Sequence, residues 1–383
     1  MGADDGGARR RALALGTVSR SLSLQSPRMW EVLAVEGFDL TFAAARDTWT
    51  DGLLEQGGNA RFTDLPTRRS LNPGTLLTTW RALRALARED WDFVQVQTPI
   101  VAALWRGTAP KRLRRRTLYV AHGFHFQPGD RGVKPLVFRV VEGLLAHRVL
   151  GVATVNEADA VFVTGLPERL RPRISWQLPG AGVDTTAFAA VAGAARADRS
   201  PDATPSALFV GDLNANKNPL FCVDVVREVR RAGVPMGLTI IGEGPLAGRV
   251  HALAESLDWL TYIRVTHDIA THLSAAHVLL APSAREGLPR VIIESLACGV
   301  PVVARSNRGS RQLLATGGGV LHDDLAAASW AGSVRELLTD PPDPAALVHI
   351  ASAYDVEAFT DSYTALVQAC LAVADRADHG QSG

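Results

Sequence analysis

REGLPRVIIESLACGVPVVA, residues 285–304, places two carboxylates, Glu286 and Glu294, eight positions apart around a Gly-Leu-Pro turn. Proline is tolerated in a helical first turn that needs no N–H, so a helix is expected to open at or near Pro289. It should run through Val291–Ala297 and stop at Gly299, since glycine favours the position just past a helix C-terminus. Val300–Ala304 is a short valine-rich run, as in a buried parallel strand. Tight loop, helix and strand in this order belong to an open α/β sheet.

That geometry has a chemical reading. N–H groups of residues 287, 288 and 290 lack helical partners and sit at the positive end of the helix dipole, which suits an anion. Glu286, in the loop, can accept hydrogen bonds from a polyol beside that anion. Glu294, farther along the helix, can bind a second pair of hydroxyls such as a ribose diol. An anion between two hydroxyl-bearing groups describes a nucleotide diphosphate sugar. An amphipathic helix that merely carries two glutamates is the plainer alternative.

The segment resembles the E-x7-E signature of the family-four retaining glycosyltransferases of the GT-B fold. Other stretches follow the same family in order. Phe209-Val210-Gly211-Asp212-Leu213-Asn214-Ala215-Asn216-Lys217-Asn218 resembles its opening strand and phosphate loop, and Ile240-Ile241-Gly242-Glu243-Gly244-Pro245 its next strand end. Ala121-His122-Gly123-Phe124-His125-Phe126 and Ser306-Asn307-Arg308-Gly309-Ser310-Arg311 are similar to the bacterial exopolysaccharide subgroup. The likeness spans roughly residues 10 to 370.

The resemblance implies an α/β GT-B protein, two Rossmann-like domains facing a central cleft, with a C-terminal helix crossing back to the first. The expected division is an acceptor domain at 1–185, a linker and loop at 186–206, a nucleotide-sugar domain at 207–355, and a crossover helix and tail at 356–383. The implied activity is a hexosyltransferase: retaining transfer from a nucleotide sugar, UDP-linked, to a hydroxyl on a lipid-linked or polysaccharide glycan. His122, Lys217 and Glu286 are the implied catalytic residues. Gly211, Asn216, Lys217, Glu286, Gly287, Leu288, Pro289, Glu294 and Arg308 would bind the donor. Gln97, His125 and Asn156 would lie on the acceptor side. No metal or other cofactor is expected, because helix dipole and cations can stabilise the leaving diphosphate.

Three departures from the family pattern stand out. Asp212 occupies a place where arginine is usual, leaving one phosphate cation fewer, for which Arg308 or Arg290 can compensate. Gln97 stands where the subgroup commonly has histidine. The first loop, Thr17-Val18-Ser19-Arg20-Ser21, lacks the double glycine of the wider family. Between His122 and His125, the His-Gly step directly after a strand favours His122. His322-Asp323-Asp324 resembles a metal motif but is read as a solvated loop beyond the donor site.

Rival functions are weighed on the same residues. Ile241-Gly242-Glu243-Gly244-Pro245-Leu246-Ala247 includes a G-x-G-x-x-A pattern, which would suit a nicotinamide enzyme. A nucleotide-sugar epimerase can share the two-domain fold, and a non-catalytic nucleotide-sugar-binding subunit would keep the pocket without turnover. Glu286, Lys217 and His122 together favour the transferase.

Bulk properties agree with this architecture. A chain of 383 residues suits two domains, and 47% hydrophobic with 21% charged residues is globular composition. Cys222, Cys298 and Cys370 lie far apart in apolar surroundings, the usage of a reducing compartment. No apolar run reaches membrane-spanning length, so a cytoplasmic location is expected. Residues 1–190 hold 25 Lys/Arg against 18 Asp/Glu, whereas the remainder is acidic. The clusters Lys111-Arg112, Arg114-Arg115-Arg116 and Arg68-Arg69 suggest peripheral contact with an anionic membrane leaflet. Nucleic acid is not expected, because no aromatic residues interleave with the cations.

Overall fold

A computed structural model of the chain describes residues 9–23, 27–68, 72–127, 129–180, 182–197 and 204–379. The chain divides into two compact units. The first runs to Gly182 and resumes at Ala358; the second holds Val183–Glu357.

In the first unit, the described residues form a seven-stranded sheet of β1 (Arg10–Val18), β2 (Phe38–Ala45), β3 (Arg61–Asp64), β4 (Phe93–Val96), β5 (Thr117–Ala121), β6 (Gly151–Thr154) and β7 (Ile174–Gln177). Their order is β3-β2-β1-β4-β5-β6-β7, every pair parallel. Strands buried on both faces need apolar residues on both, and β5 (Thr-Leu-Tyr-Val-Ala) is buried throughout. One layer of the core includes Trp30, Phe42 and Phe93, the other Trp91, Trp105 and Tyr119. The last helix, Val356–His379, contributes Phe359, Tyr363, Leu366 and Cys370 to the first layer. Tyr363 donates to Gln95 Oε1, and Trp176 donates to Ser362 Oγ at 3.0 Å. The crossover helix of the GT-B fold is therefore present as a membership of core residues.

The second unit's described residues form β8 (Ser206–Val210), β9 (Gly237–Ile241), β10 (Leu260–Ile263), β11 (Val278–Ala281), β12 (Val302–Arg305) and β13 (Gly319–His322), ordered β10-β9-β8-β11-β12-β13. All pairs are parallel, with Ala281 opposite Ala304 and Leu208 opposite Thr239. Each sheet thus reverses its direction of winding once, between β1 and β4 and between β8 and β11. Ligands of open α/β sheets bind at such switch points, beyond the strands' carboxyl ends.

Two sequence expectations are corrected here. Residues 186–206, read as linker and loop, are largely taken up by the helix Thr185–Ala197, which packs against Ile269–Ala275 and Arg290–Ala297. Its Ala-rich sequence favours helix despite the small-residue composition that suggested a linker. Residues 198–203 of that stretch lie outside the described residues. His322 is the last residue of β13 instead of a loop residue; its Nε2 pairs with Ser333 Oγ at 3.0 Å and its ring stacks on Trp330.

The basic run at 111–116 is engaged within the chain. Arg112 binds Asp90 at 2.7 Å and nearby carbonyls, and Arg116 binds Asp92 at 3.2 Å. Arg69 of the other cluster lies outside the described residues. Cys222, Cys298 and Cys370 are free and buried. Among the described residues no helix is long and apolar enough to cross a membrane.

Candidate active site

The second unit's switch point is built from the loops after β8 and β11. Asn214 Oδ1 accepts the backbone N–H groups of Asn216 and Lys217 at 2.9 and 3.0 Å, curling the chain back on itself. Asn218 then adopts a left-handed conformation, φ +53°, immediately before Pro219 opens the helix Pro219–Arg231. Asparagine tolerates that conformation better than most residues. Two hydrogen bonds clip this loop to the one after β11: Ala284 N–H to Asn216 O at 2.8 Å, and Asn216 Nδ2 to Arg285 O at 3.1 Å. A third link is ionic, Lys217 Nζ to Glu286 Oε1 at 2.5 Å, with side chains 23% and 15% exposed.

The helix opens beside Pro289, as its sequence suggests. Pro289 is the N-cap and Arg290–Ala297 the helix, ended by Gly299 at φ +65°. Val300 N–H reaches Ser295 O at 2.9 Å and closes the last turn. Glu294 is 14% exposed, with Arg290 one turn back at 3.7 Å. Burial raises the Glu294 carboxyl above the ordinary carboxylate range, and the Arg290 guanidinium partly offsets that rise.

A third loop, after β12, supports the first two. Asn307 caps the helix Arg308–Leu313 in a capping box with Ser310, and its Nδ2 donates to Ser283 O at 3.0 Å. Arg308 is buried, and its Nε donates to Glu286 O at 3.1 Å. The side chain expected to hold phosphate thus holds the backbone of the loop that carries Glu286. A Cβ on Gly309 would stand 2.7 Å from Gly287 O, so glycine lets the two loops touch.

The glycines of the dinucleotide-like pattern have a different use. A Cβ on Gly242 would lie 1.9 Å from Gly211 O, and one on Gly244 would lie 2.6 Å from Leu213 O. Gly211 N–H bonds Ile241 O, Leu213 N–H bonds Glu243 O, and Leu246 N–H bonds Leu213 O. The space that a nicotinamide pyrophosphate would need over these glycines is filled by the chain's own loop after β8. This removes the basis for the nicotinamide alternative. Asp212 lies within that loop, and its carbonyl accepts Asn214 N–H at 2.9 Å.

The first unit carries its own polar edge at the ends of adjacent strands. Gln97 follows β4, His122 follows β5, and Thr154 ends β6, paired in register with Ala121. Gln97 Oε1, His122 Nε2 and Thr154 Oγ1 are each buried without a hydrogen-bond partner among the described residues. An unmade hydrogen bond at a buried atom costs about 1–3 kcal/mol, so three at one end of a sheet are unusual in a native fold. Burial pushes His122 down to about 4, which keeps its imidazole neutral near pH 7. Gln97 is held from its other end by a contact of Nε2 with Met29 Sδ at 3.5 Å.

His125 and Asn156 have other surroundings. His125 is exposed and meets Phe138 edge-on at 4.8 Å. Asn156 is buried as the N-cap of Glu157–Thr164, accepting Asp159 N–H and donating to Asp159 Oδ2, both at 2.9 Å. Asp159 Oδ2 in turn accepts Phe124 N–H at 3.0 Å, steadying the loop that carries His122. Thr154 escaped the sequence reading, whereas Asn214 and Asn307 stood inside the family-like stretches without a role of their own.

Two parallel-sheet Rossmann-like units, with the charged residues of the second on its switch-point loops, define the GT-B architecture. Residues 204–340 match the glycosyl transferases group 1 family. EpsD of Bacillus subtilis (strain 168), named as a glycosyltransferase, is 28% identical over 292 residues, covering 72% of this chain and 75% of that protein. A GDP-mannose-dependent alpha-(1-6)-phosphatidylinositol dimannoside mannosyltransferase of Mycobacterium tuberculosis (strain ATCC 25177 / H37Ra) is 32% identical over 144 residues. That match covers 36% of this chain and 38% of the mycobacterial protein. HepE of Anabaena, solved in complex with UDP-glucose, has a TM-score of 0.68 at 17% identity, covering 94% of this chain and 99% of its own, a likeness of fold. The family match within the second unit, these relatives and the shared fold support a glycosyltransferase enzyme of GT-B architecture.

Proposed function

We propose that the protein transfers a hexosyl group, with retention, from a UDP-linked sugar to a hydroxyl of a lipid-linked or polysaccharide glycan. The observation that carries this is the Lys217–Glu286 ion pair bridging the loops after β8 and β11. An incoming diphosphate draws Lys217 away from Glu286 and satisfies its charge. The released Glu286 carboxylate then accepts hydrogen bonds from the donor's sugar hydroxyls. Glu294 takes the ribose diol, and the N–H groups of Gly287, Leu288 and Arg290 receive phosphate oxygens at the helix N-terminus.

Catalysis is assigned to charge stabilisation on the leaving diphosphate, where Lys217 and the helix dipole act as negative charge accumulates. The leaving phosphate helps deprotonate the acceptor hydroxyl on the same face of the sugar. His122, neutral at pH 7, offers a hydrogen bond to a sugar hydroxyl and a soft dipole toward positive charge on the ring. No metal is needed, and turnover should be unchanged by chelator. The mycobacterial relative is named as GDP-mannose-dependent, and HepE was solved with UDP-glucose, so both support a nucleotide-sugar donor.

Calorimetry with UDP, GDP and ADP tests the donor, with Glu294→Ala as control. Selective UDP binding that the variant loses supports the assignment and directs a UDP-sugar screen. Selective GDP binding would move the donor to that nucleotide, and no nucleotide binding at all would sink the proposal.

A further inference from the structure

The helix Val133–Leu145 wears its hydrophobic stripe on the outside. Val133, Leu136, Val137, Val140 and Leu144 are all exposed, between 47% and 77%. Their spacing, i, i+3, i+4, i+7 and i+11, draws one continuous face on a helix of 3.6 residues per turn. A surface helix normally turns such a face inward. Here Phe138 and Glu142 face the protein instead, with Phe138 against His125 and Glu142 in a buried pair with Arg106. Val161 of the next helix, 62% exposed, extends the apolar area. Between the two helices lies an open groove of about 600 Å³ whose walls include Leu136, Val140, Phe162 and Leu166. Contiguous apolar surface of this kind marks an interaction site in a soluble protein.

The charges on the same helix identify the partner. Lys134 and Arg139 fall roughly 100–120° to either side of the apolar stripe at 100° per residue, and both are exposed. The helix's single carboxylate, Glu142, is turned away and neutralised 2.7 Å from Arg106 Nη2. Arg131 stands just ahead of the helix and is exposed too. An apolar strip flanked on both sides by long cationic side chains, on a helix with no exposed acid of its own, matches a helix lying in a bilayer interface. There the cations reach back to headgroup phosphates. A second copy of the chain fits less well, because a two-fold contact along this stripe would set cations against cations.

We propose that Val133–Leu145 is a membrane-docking helix that seats the first unit on an anionic lipid surface. The proposal extends the lipid-linked acceptor suggested above but is tested without it. Full-length protein is sedimented with vesicles of phosphatidylcholine alone and of phosphatidylcholine with about one third phosphatidylglycerol. Wild type should bind the anionic vesicles and leave the neutral ones largely free. Lys134→Ala/Arg139→Ala should weaken anionic binding about thirtyfold, and Leu136→Ser/Val140→Ser should abolish it. These positions are solvent-exposed, so melting temperature should stay at the wild-type value in every variant. UDP affinity, read in the same variants, separates failure of this proposal from failure of the donor assignment. Binding indifferent to lipid charge, or to both double variants, would overturn the proposal. So would a wild-type dimer without vesicle affinity that Leu136→Ser/Val140→Ser dissociates, since the face would then join two copies.

Discussion

Lys217 and Glu286, 69 positions apart in sequence, form an ion pair of 2.5 Å across the two loops at the second unit's switch point. The two side chains proposed to take opposite ends of a sugar diphosphate neutralise each other while the site is empty. Neither is left as a bare, largely desolvated charge, a state that costs several kcal/mol. In the proposed reaction the pair opens for the donor.

Lys217→Ala should lower turnover by about two to three orders of magnitude, the usual effect of removing a charge-stabilising group. Glu286→Gln should be comparably slow. Because each single variant also breaks the pair, the double variant should cost less than the sum, with a coupling of about 0.5–3 kcal/mol. A double-mutant cycle on kcat/KM checks this. Strict additivity would mean that the two residues act independently.

Gly242→Ala places a methyl group 1.9 Å from Gly211 O, at a glycine whose φ of +150° already disfavours a side chain. The loop after β8 must move, and the fold should lose about 2–4 kcal/mol. Gly244→Ala, with 2.6 Å to Leu213 O, should be milder in stability yet still weaken nucleotide binding by displacing Lys217's loop. Denaturant unfolding together with UDP calorimetry separates the two effects. Unchanged unfolding in Gly242→Ala would show that the contact is not a tight one.

Much of this was readable from local sequence. The 285–304 run announces loop, helix, glycine stop and strand, and each is found within a residue or two. What could not be read are partners and directions. The spacing of Val133, Leu136, Val137 and Val140 shows a helical stripe, but periodicity does not say which way the stripe faces. The Gly242 and Gly244 pattern suits a dinucleotide until one knows that Gly211 and Leu213 lie over it. Arg308 reads as a phosphate cation, yet its Nε is engaged with Glu286 O. Thr185–Ala197 reads as a linker because small residues serve linkers and Ala-rich helices alike.

Glu294 should make donor binding sensitive to mild acid. Its carboxyl is raised by burial, so on lowering the pH it gains a proton earlier than an ordinary glutamate. A protonated carboxyl offers the ribose diol fewer acceptors. UDP affinity should therefore begin to fall above the usual glutamate range near pH 4.3. Glu294→Gln should bind weakly with no such dependence. Calorimetry across pH 4.5 to 7.5 reads both, and an acid limb retained in the variant would assign the effect elsewhere.

Arg106 and Glu142 form a buried pair at 2.7 Å in the first unit, with Tyr119 Oη donating to the same carboxylate at 3.3 Å. Arg106→Leu would strand that carboxylate and cost about 3–5 kcal/mol at pH 7. Burial already raises Glu142, and without Arg106 it rises further. The folded variant would then hold a proton that the unfolded chain releases, so its stability should recover as pH falls toward 4.3. Urea unfolding of the variant at pH 7 and pH 5 measures the recovery. A cost equal at both pH values would show that lost packing, not charge, is responsible.

His122 sets the opposite slope. Folding lowers it from 6.5 to about 4 through burial, so between those values the unfolded chain binds a proton that the native state does not. Native stability tied to this residue is complete above pH 6.5 and is withdrawn as pH falls toward 4, with an upper bound of about 3 kcal/mol. His122→Asn removes the titration, so its unfolding free energy should change less than wild type's over that window. A ligand hydroxyl that donates to the partnerless Nε2 would favour the neutral imidazole further. A saturating ligand that engages it should therefore extend the acid loss in wild type below pH 4 and leave His122→Asn unaffected. If wild type and His122→Asn lose stability in parallel between pH 6.5 and 4, then His122 titrates normally, and the buried, neutral imidazole on which its assigned role depends does not exist.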